Sequence, residues 1–416
     1  MEKSIDSILI PFANGKQPFL TDLLVDDESN KGKKAKKKTN FDDRKAYAVQ
    51  VSEILATGND IQQKQAKRML TCSELLQFGF LMDSEGFAKP PFKLKLKNAQ
   101  FCRAPNCPVC QQRRSMKWTA RLLDVLPLIQ KDYPDMRYAM LTLTVQNCHV
   151  SELRETKKEM NAALKRMTER KSFPADGYIA SFEVTPEKDL FDKKTGKLIR
   201  KARPDYCHPH FHILVALPPA YFGRNYIKKD GWSEMWQSAL KVDYKPVTDI
   251  RMVKPNEREN AVDSENSSKN DLNGLMAAVV ETVKYTVKPS DMVQNDDWFL
   301  EVANQLFKTR TISVGGIFKD YLKASDIERD LMLDSECFQN SGGFMFGWRS
   351  RLKRYVYTGK AQAKQAKELE VEGVRASHAF YSFFSFGKKY RKHPVRHLGV
   401  LTPRCAGYAI REFFDF

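Results

Sequence analysis

Two histidines in the stretch 208–215 have the spacing of metal ligands on a β-strand. A strand sends alternate side chains to one face, so His210 and His212 share a face while Phe211 and Ile213 fill the other. Two imidazoles side by side on a rigid strand suit a divalent metal ion. A pair of structural histidines in a buried strand fits the stretch equally well, and the rest of the chain has to decide.

A predicted helix over about 272–288, followed by a proline, carries a second reactive group. Residues three, four and seven apart share a helix face, which would align Glu281, Lys284, Tyr285 and Lys288. A phenol is a weak nucleophile at neutral pH unless nearby cations favour its ionised form. With lysines and a metal beside it, Tyr285 is a candidate to attack a phosphodiester, with Glu281 as general base toward water or a second hydroxyl. A helical tyrosine ordinarily packs, but this one lies on the charged face.

The charge of the chain predicts a polyanionic partner. The net charge is +18 over 416 residues, which favours nucleic acid or an anionic membrane surface. No apolar run approaches the ~18 residues of a spanning helix, and residues 1–12 are too polar for a secretory signal. We therefore expect a cytoplasmic protein that binds nucleic acid.

Two predicted strands, over 138–145 and 177–185, precede the histidine strand. Thr142 and Thr144 share one face of the first strand and are candidates for contacting DNA. Glu183 is the single charge among the β-forming residues of the second strand. It is either at a solvated strand end or a third metal ligand.

Four of the eight cysteines predict a second metal site, with Cys102, Cys107 and Cys110 clustered and Cys72 as the fourth ligand. In a cytosolic protein, clustered cysteines favour metal binding over disulfides. The Cys-Pro-x-Cys turn lets two thiolates reach one ion, and a closed four-thiolate site is typical of structural Zn²⁺. The remaining cysteines are interpreted as inert core residues.

A basic amphipathic helix is predicted over 111–130, directly after the cysteine cluster. Its Arg113 and Arg114 either contact DNA or form a solvated face.

These patterns divide the chain into four regions and give the fold class α+β. They are a basic disordered tail (1–45, with the lysine-rich stretch 31–38), a helical zinc-binding subdomain (46–130), a catalytic domain (131–325) and a C-terminal helical, basic and aromatic region (326–416). The stretch 187–206 is a charged excursion and 255–273 is a polar linker.

Six motifs in order carry a family resemblance over roughly residues 65–325: FCRAPNCPVCQQRR, MLTLTVQN, GYIASFEVT, HPHFHILVAL, ETVKYTVKPSD and TRTISVGGIFKDYLK. Together they resemble the replication initiator proteins of small rolling-circle plasmids. These are the single-tyrosine class of HUH endonucleases, named for their histidine–hydrophobe–histidine signature. The excursion at 187–206 and the linker at 255–273 depart from the family pattern.

The resemblance implies an HUH endonuclease-like antiparallel sheet flanked by helices, joined here to the N-terminal helical zinc-binding subdomain. His210 and His212 match the family's ligands for Mg²⁺ or Mn²⁺, and Glu183 is placed as third ligand by its position. Tyr285 matches the nucleophile that nicks one strand of the plasmid double-strand origin, leaving a 5′ phosphotyrosine and a free 3′ hydroxyl. Glu281 matches the acid that replaces a second tyrosine in termination.

The two lysines beside Tyr285 and the expected partners complete the prediction. By their position, Lys288 is a candidate to assist the nucleophile, and Lys284 is a candidate to contact the DNA. The DNA is the plasmid origin, presented as a hairpin or a single-stranded nick site. Host helicase, single-strand-binding protein and polymerase are the expected protein partners, with no membrane involved.

Two other classes of function fit part of the sequence. A non-catalytic, zinc-dependent DNA-binding regulator accounts for the charge and the cysteines but leaves the residues from Glu281 to Lys288 without a role. A metallohydrolase acting on small molecules through His-x-His is weaker. Of the seven histidines, the four outside this strand lie near no other candidate ligand.

Overall fold

The computed structural model describes residues 19–20, 40–80, 94–192, 195–223, 225–253, 267–324 and 343–361. Their contacts divide the chain into two compact units. The larger unit consists of the described parts of 43–72 and 101–332, and the smaller one of those of 1–42, 73–100 and 333–416. The lysine-rich stretch 31–38 and most of the C-terminal basic and aromatic region, 362–416, lie outside the described residues.

The helices are α1 (Asn40–Ala56), α2 (Asp60–Leu70), α3 (Pro108–Asp132), α4 (Leu153–Thr168), α5 (Lys229–Leu240), α6 (Ser267–Thr282), α7 (Pro289–Met292), α8 (Asp296–Gln305) and α9 (Ile317–Ala324). Short 3₁₀ turns cover Val150–Glu152 and Pro219–Phe222. Among the described helices, none combines the length and the apolar character needed to cross a membrane.

The strands are β1 (Leu75–Phe80), β2 (Leu94–Ala99), β3 (Arg137–Thr144), β4 (Cys148–His149), β5 (Gly177–Pro186), β6 (Leu190–Phe191), β7 (Leu198–Arg200), β8 (Tyr206–Leu217), β9 (Thr248–Met252), β10 (Ile312–Gly316), β11 (Gly343–Arg349) and β12 (Arg354–Ala361). The excursion at 187–206 contains the two-stranded ribbon β6–β7.

An antiparallel sheet of order β10-β5-β8-β3-β9 forms the centre of the larger unit, with β4 also paired to β8. The histidine strand β8 is therefore internal and the longest. The prediction of an α+β fold with an antiparallel sheet flanked by helices is confirmed.

Alternation along the strands gives the sheet two different faces. One face is mostly apolar. Its Phe182, Phe211 and Ile213 pack against α4 and the tryptophans of α5. The other face is apolar only at one end, where Ile179 and Leu214 meet α3, α6 and α9. The remaining end of this second face carries polar side chains, and the candidate site lies there.

The helices around the cysteine cluster share the core of the sheet. Val51 of α1 and Met69 of α2 belong to the same buried cluster as Phe182 and Phe211. This differs from the predicted boundary between a zinc-binding subdomain and a catalytic domain near residue 130, which falls inside α3.

The smaller unit is built on an antiparallel sheet of order β12-β11-β1-β2. Phe78 of β1 packs edge-on against Phe41 and Phe346, with ring centroids 5.8 and 5.9 Å apart. Strands therefore replace the expected helices within 46–130 and 326–416. The aromatic residues of β1, β11 and β12 favour strands, because such side chains suit a pleated surface.

The linker prediction at 255–273 needs one correction, because α6 already begins at Ser267. The polar residues at its start lack apolar periodicity but belong to the same helix as the buried Leu275 and Met276. Residues 254–266 lie outside the described part of the chain.

Candidate active site

Glu183, His210 and His212 converge at the polar end of the sheet. Glu183 and His210 are direct cross-strand partners on β5 and β8. The Nε2 atoms of the two histidines lie 3.2 Å apart, and Oε2 of Glu183 lies 3.5 Å from that of His210 and 3.1 Å from that of His212. The side chains are buried or half-buried and could hold a metal ion.

The surroundings orient and ionise these three groups. Nδ1 of His210 donates to the carbonyl of His208 at 3.2 Å, which leaves its Nε2 free as an acceptor. Burial opposes ionisation of Glu183, but the hydrogen bonds and charges of the two imidazoles outweigh it and hold the pKa of this carboxyl below its ordinary value. Lys288 adds a cation 3.4 Å from Oε1 of Glu183.

The donor set fits a divalent ion. Neighbouring ligands of an octahedral ion at about 2.1 Å lie about 3.0 Å apart, close to the separations found here. Oε1 of Glu183 is buried and forms no hydrogen bond to the described residues, although the Lys288 ammonium lies 3.4 Å away. A buried ionised acceptor of this kind is suited to coordinate a metal cation. The role of the three residues as ligands remains a prediction.

Tyr285 lies in an irregular segment of turns and bends and not on a helix. The predicted helix over 272–288 is wrong at its end, since α6 stops at Thr282. The N–H of Val184, next to Glu183, donates to the carbonyl of Thr286 at 2.9 Å and attaches the segment to the edge of β5. Residues preceding a proline avoid helical backbone angles, so Lys288 is extended before α7.

The Tyr285 side chain is half-buried, and within the described residues its hydroxyl has no hydrogen-bond partner. The guanidinium of Arg44 lies 5.6 Å from the ring centroid. A cation therefore lies beside the phenol, but it comes from α1 and not from the lysines predicted on the same helix.

The two ends of the predicted charged helix face, Glu281 and Lys288, have different partners in the structure. Glu281 remains on α6, where its Oε2 lies 2.5 Å from Nζ of Lys284. Lys288 pairs instead with Glu183. The alignment of all four residues on one helix face is therefore wrong, because the helix ends before three of them.

The predicted DNA contacts have different surroundings. Thr142 lies opposite His212 on the polar face and is half-buried. Thr144 lies opposite His210, but it is buried and its hydroxyl donates to the carbonyl of Val247 at 2.7 Å. This differs from the predicted DNA contact, because the hydroxyl is already used within the fold.

The two predicted arginines also differ. The guanidinium of Arg113 lies over the ring of Phe101 at 4.5 Å, whereas Arg114 is exposed and lines a cavity shared with Tyr285.

The thiols of Cys72, Cys102, Cys107 and Cys110 form a compact group. Three Sγ pairs are 3.6 Å apart, between Cys72 and Cys110, Cys102 and Cys110, and Cys107 and Cys72. This is too long for a disulfide and close to the ~3.8 Å edge of a tetrahedron with 2.3 Å metal–sulfur bonds. Hydrogen bonds from the other three thiols lower the pKa of Cys110, with help from the backbone N–H of Arg103. The group could therefore hold one metal ion, with Cys72 completing the set.

A buried polar network behind the histidines has no counterpart in the sequence predictions. Oδ1 of Asn147 accepts from Nδ1 of His208 at 2.8 Å, and its Nδ2 donates to Glu187 at 2.8 Å. Glu187 also accepts from the guanidiniums of Arg200 and Arg203, and mainly the Arg203 bonds lower its pKa to about 2. The asparagine ending the MLTLTVQN strand was the one available sign, since the network joins segments 40 residues and more apart.

Comparisons with known proteins identify the family of the chain. A family model described as "Replication protein" matches residues 93–356. A "Protein rep" of Lentilactobacillus hilgardii is 31% identical over 303 residues, covering 70% of this chain and 84% of the relative. A "Protein rep" of Streptococcus pneumoniae serotype 2 is 29% identical over 325 residues, covering 76% and 88%.

The chain belongs to this family of replication proteins, which confirms the predicted family. No solved structure matches it closely enough to identify the fold by similarity.

Metal binding at Glu183, His210 and His212 can be tested by thermal unfolding with Mn²⁺. A ligand at about 100 times its dissociation constant stabilises the folded state by ~2.7 kcal/mol, so the unfolding midpoint should rise. His210→Ala and His212→Ala should remove this rise. His149→Ala, which replaces a histidine outside the group, should keep it. An undiminished rise in both site variants would place the ion elsewhere.

Proposed function

We propose that this protein initiates plasmid replication by nicking one strand of the double-strand origin, with Tyr285 as the nucleophile. The phenol oxygen forms a bond to the phosphorus, and the bond from phosphorus to the 3′ oxygen breaks. The proton lost by the phenol is balanced by protonation of the 3′ oxygen. The products are a 5′ phosphotyrosine and a free 3′ hydroxyl for a polymerase.

The observation that carries this proposal is the hydrogen bond from the Val184 N–H to the carbonyl of Thr286. It attaches the residue after Tyr285 to the residue after Glu183, so the tyrosine segment runs beside the candidate metal ligand. A regulator without chemistry needs no such attachment. The membership of the replication protein family supports the same conclusion.

Glu183, His210 and His212 would hold Mg²⁺ or Mn²⁺ as an HUH endonuclease-like site. Such an ion polarises a phosphodiester and orients it for in-line attack. The protein's own side chains supply the remaining charges and contacts. Lys288 pairs with Glu183, Arg44 provides positive charge beside the phenol, and Thr142 and Arg114 are exposed enough to contact DNA.

We further propose that the four cysteines hold structural Zn²⁺ and that Glu281 terminates the cycle. Glu281 would activate a water that hydrolyses the phosphotyrosine, or a hydroxyl that religates the strand. The partners would be origin DNA and the host helicase, single-strand-binding protein and polymerase, in a bacterial cytoplasm. Lys284 is paired with Glu281 and would reach DNA only by leaving that pair.

Tyr285→Phe should abolish nicking of supercoiled origin plasmid in Mn²⁺ and leave DNA binding intact, because it removes one oxygen and keeps the ring. Gel electrophoresis measures relaxation, and a denaturing gel measures protein bound covalently to DNA. Tyr226→Phe, at an exposed tyrosine, should retain both activities. A covalent adduct in the Tyr285 variant would identify another nucleophile.

Glu281→Gln should leave the first nick nearly intact and slow release of single-stranded circles by about a hundredfold, a typical contribution of a general base. Glu155→Gln is the matched control, because Glu155 and Lys158 form the same kind of i,i+3 pair at 3.0 Å. If nicking and release fall equally, Glu281 has no specific role in termination.

Cys107→Ser, or removal of the metal by a chelator, should strongly destabilise the fold, since structural zinc binding contributes on the order of 10 kcal/mol to small domains. Elemental analysis of reduced protein should find one zinc per chain, and the variant should lose it. Cys148→Ser should keep it, because Cys148 lies outside the group. Metal-free protein with unchanged stability would contradict the proposal.

A further inference from the structure

A cavity of about 730 Å³ lies beside the tyrosine segment, between α3 and the chain around β10. Arg114, Lys308, Arg310 and Lys319 line it, and no acidic residue does so within the described part of the chain. Such a volume is in the range of small-molecule sites, and the charge suits phosphates. Trp118 supplies an aromatic ring on the same wall.

The cavity shares part of its lining with a second cavity that Tyr285 lines. A smaller neighbouring cavity is lined by Tyr285 and shares Arg114, Trp118 and Thr286 with the larger one. A strand of nucleic acid held for attack by Tyr285 would therefore have its next nucleotide at the larger cavity.

The loop that presents Lys308 and Arg310 is anchored from behind. Lys157 donates to the carbonyl of Arg310 at 2.6 Å, and Arg154 to that of Phe307 at 3.0 Å. Two cations of α4 thus hold the backbone of the loop, while the side chains of Lys308 and Arg310 remain exposed.

Gln111 gives this cavity a specific polar group. Its side chain is 6% exposed and lines both cavities. Nε2 donates to the carbonyl of Pro105 at 3.0 Å, and this fixes the amide orientation because a carbonyl accepts only. Oε1 is left as a buried acceptor with no hydrogen-bond partner among the described residues. Such an atom is satisfied when a ligand brings a donor.

We propose that the cavity binds a nucleotide next to the scissile phosphate of the single strand, and that Gln111 reads its base. Arg114 and Arg310 contact the backbone phosphates, Trp118 lies along the base, and Oε1 of Gln111 accepts from the base edge. Adenine, cytosine and guanine offer an exocyclic amino group to this acceptor. Thymine offers only its N3–H, which lies between two carbonyl oxygens that repel an acceptor, so thymine should be disfavoured. This inference rests on the proposed nicking function and assigns a sequence-determining residue to it.

The test uses the full-length protein with Mn²⁺ and a fully randomised single-stranded oligonucleotide library, from which covalent adducts are captured and sequenced. Wild-type adducts should show one position close to the attached phosphate at which thymine is depleted. Gln111→Met keeps the side-chain length but removes the acceptor, so discrimination at that position should fall by about fivefold or more. Preferences at other positions should not change.

Two controls separate base reading from damage to the fold. Gln111→Glu loses the donor to Pro105 but keeps acceptor oxygens, and should retain the depletion of thymine. Gln112→Met makes the same substitution at the neighbouring glutamine, which lines neither cavity. If Gln111→Met and Gln111→Glu relax the position equally, the bond to Pro105 and not base reading is responsible, and the proposal fails.

Other outcomes are also decisive. If the wild-type protein forms adducts and Gln111→Met shows the same base preference as the wild type, the base-reading role is overturned. The nicking function would still stand. Absence of any wild-type adduct, with DNA binding retained, would overturn the nicking function together with this inference. Thermal unfolding of each variant shows whether the sequenced protein is folded.

Discussion

The candidate site depends on backbone hydrogen bonds along one edge of β5. The N–H groups of Phe182 and Val184 point to the same side of the strand and donate to the carbonyls of Thr311 and Thr286, at 2.8 and 2.9 Å. Glu183 lies between them. One edge is thus shared by β10 and the tyrosine segment, and the relation between metal ligand and nucleophile is set by backbone bonds. Side-chain substitution changes such bonds little.

Two buried carboxylates near this edge, Glu183 and Glu187, have different partners. These partners favour a structural role for one and a reactive role for the other. Glu187 has both oxygens occupied by Arg200, Arg203 and Asn147, so it is saturated and holds the base of the β6–β7 ribbon. Glu183 is equally buried, but within the described residues its Oε1 forms no hydrogen bond and has the Lys288 ammonium 3.4 Å away. A metal cation would complete the partners of such a buried ionised group. The contrast favours Glu183 as the ligand and Glu187 as the support.

Sequence periodicity predicted the parts of the site that depend on local structure. Alternation in β8 correctly placed His210 and His212 on one face, and the short-range cysteine spacing indicated the thiol group. The same rules failed at Tyr285, because a helical repeat does not reveal that Thr286 pairs with β5. The β-branched residues Val283, Thr286 and Val287 were the available sign that the helix does not continue. The network through Asn147 could not be predicted, since it depends on contacts far apart in sequence.

The cysteine group also pins the two ends of an insertion. The chain leaves the larger unit after Cys72 and returns at Phe101, and the thiols of Cys72 and Cys102 belong to one compact group. The intervening residues are not a loose loop, because they supply β1 and β2 to the sheet of the smaller unit. A metal ion held by the four thiols would therefore fix the chain at both ends of a structured segment. Loss of that ion would release both ends at once.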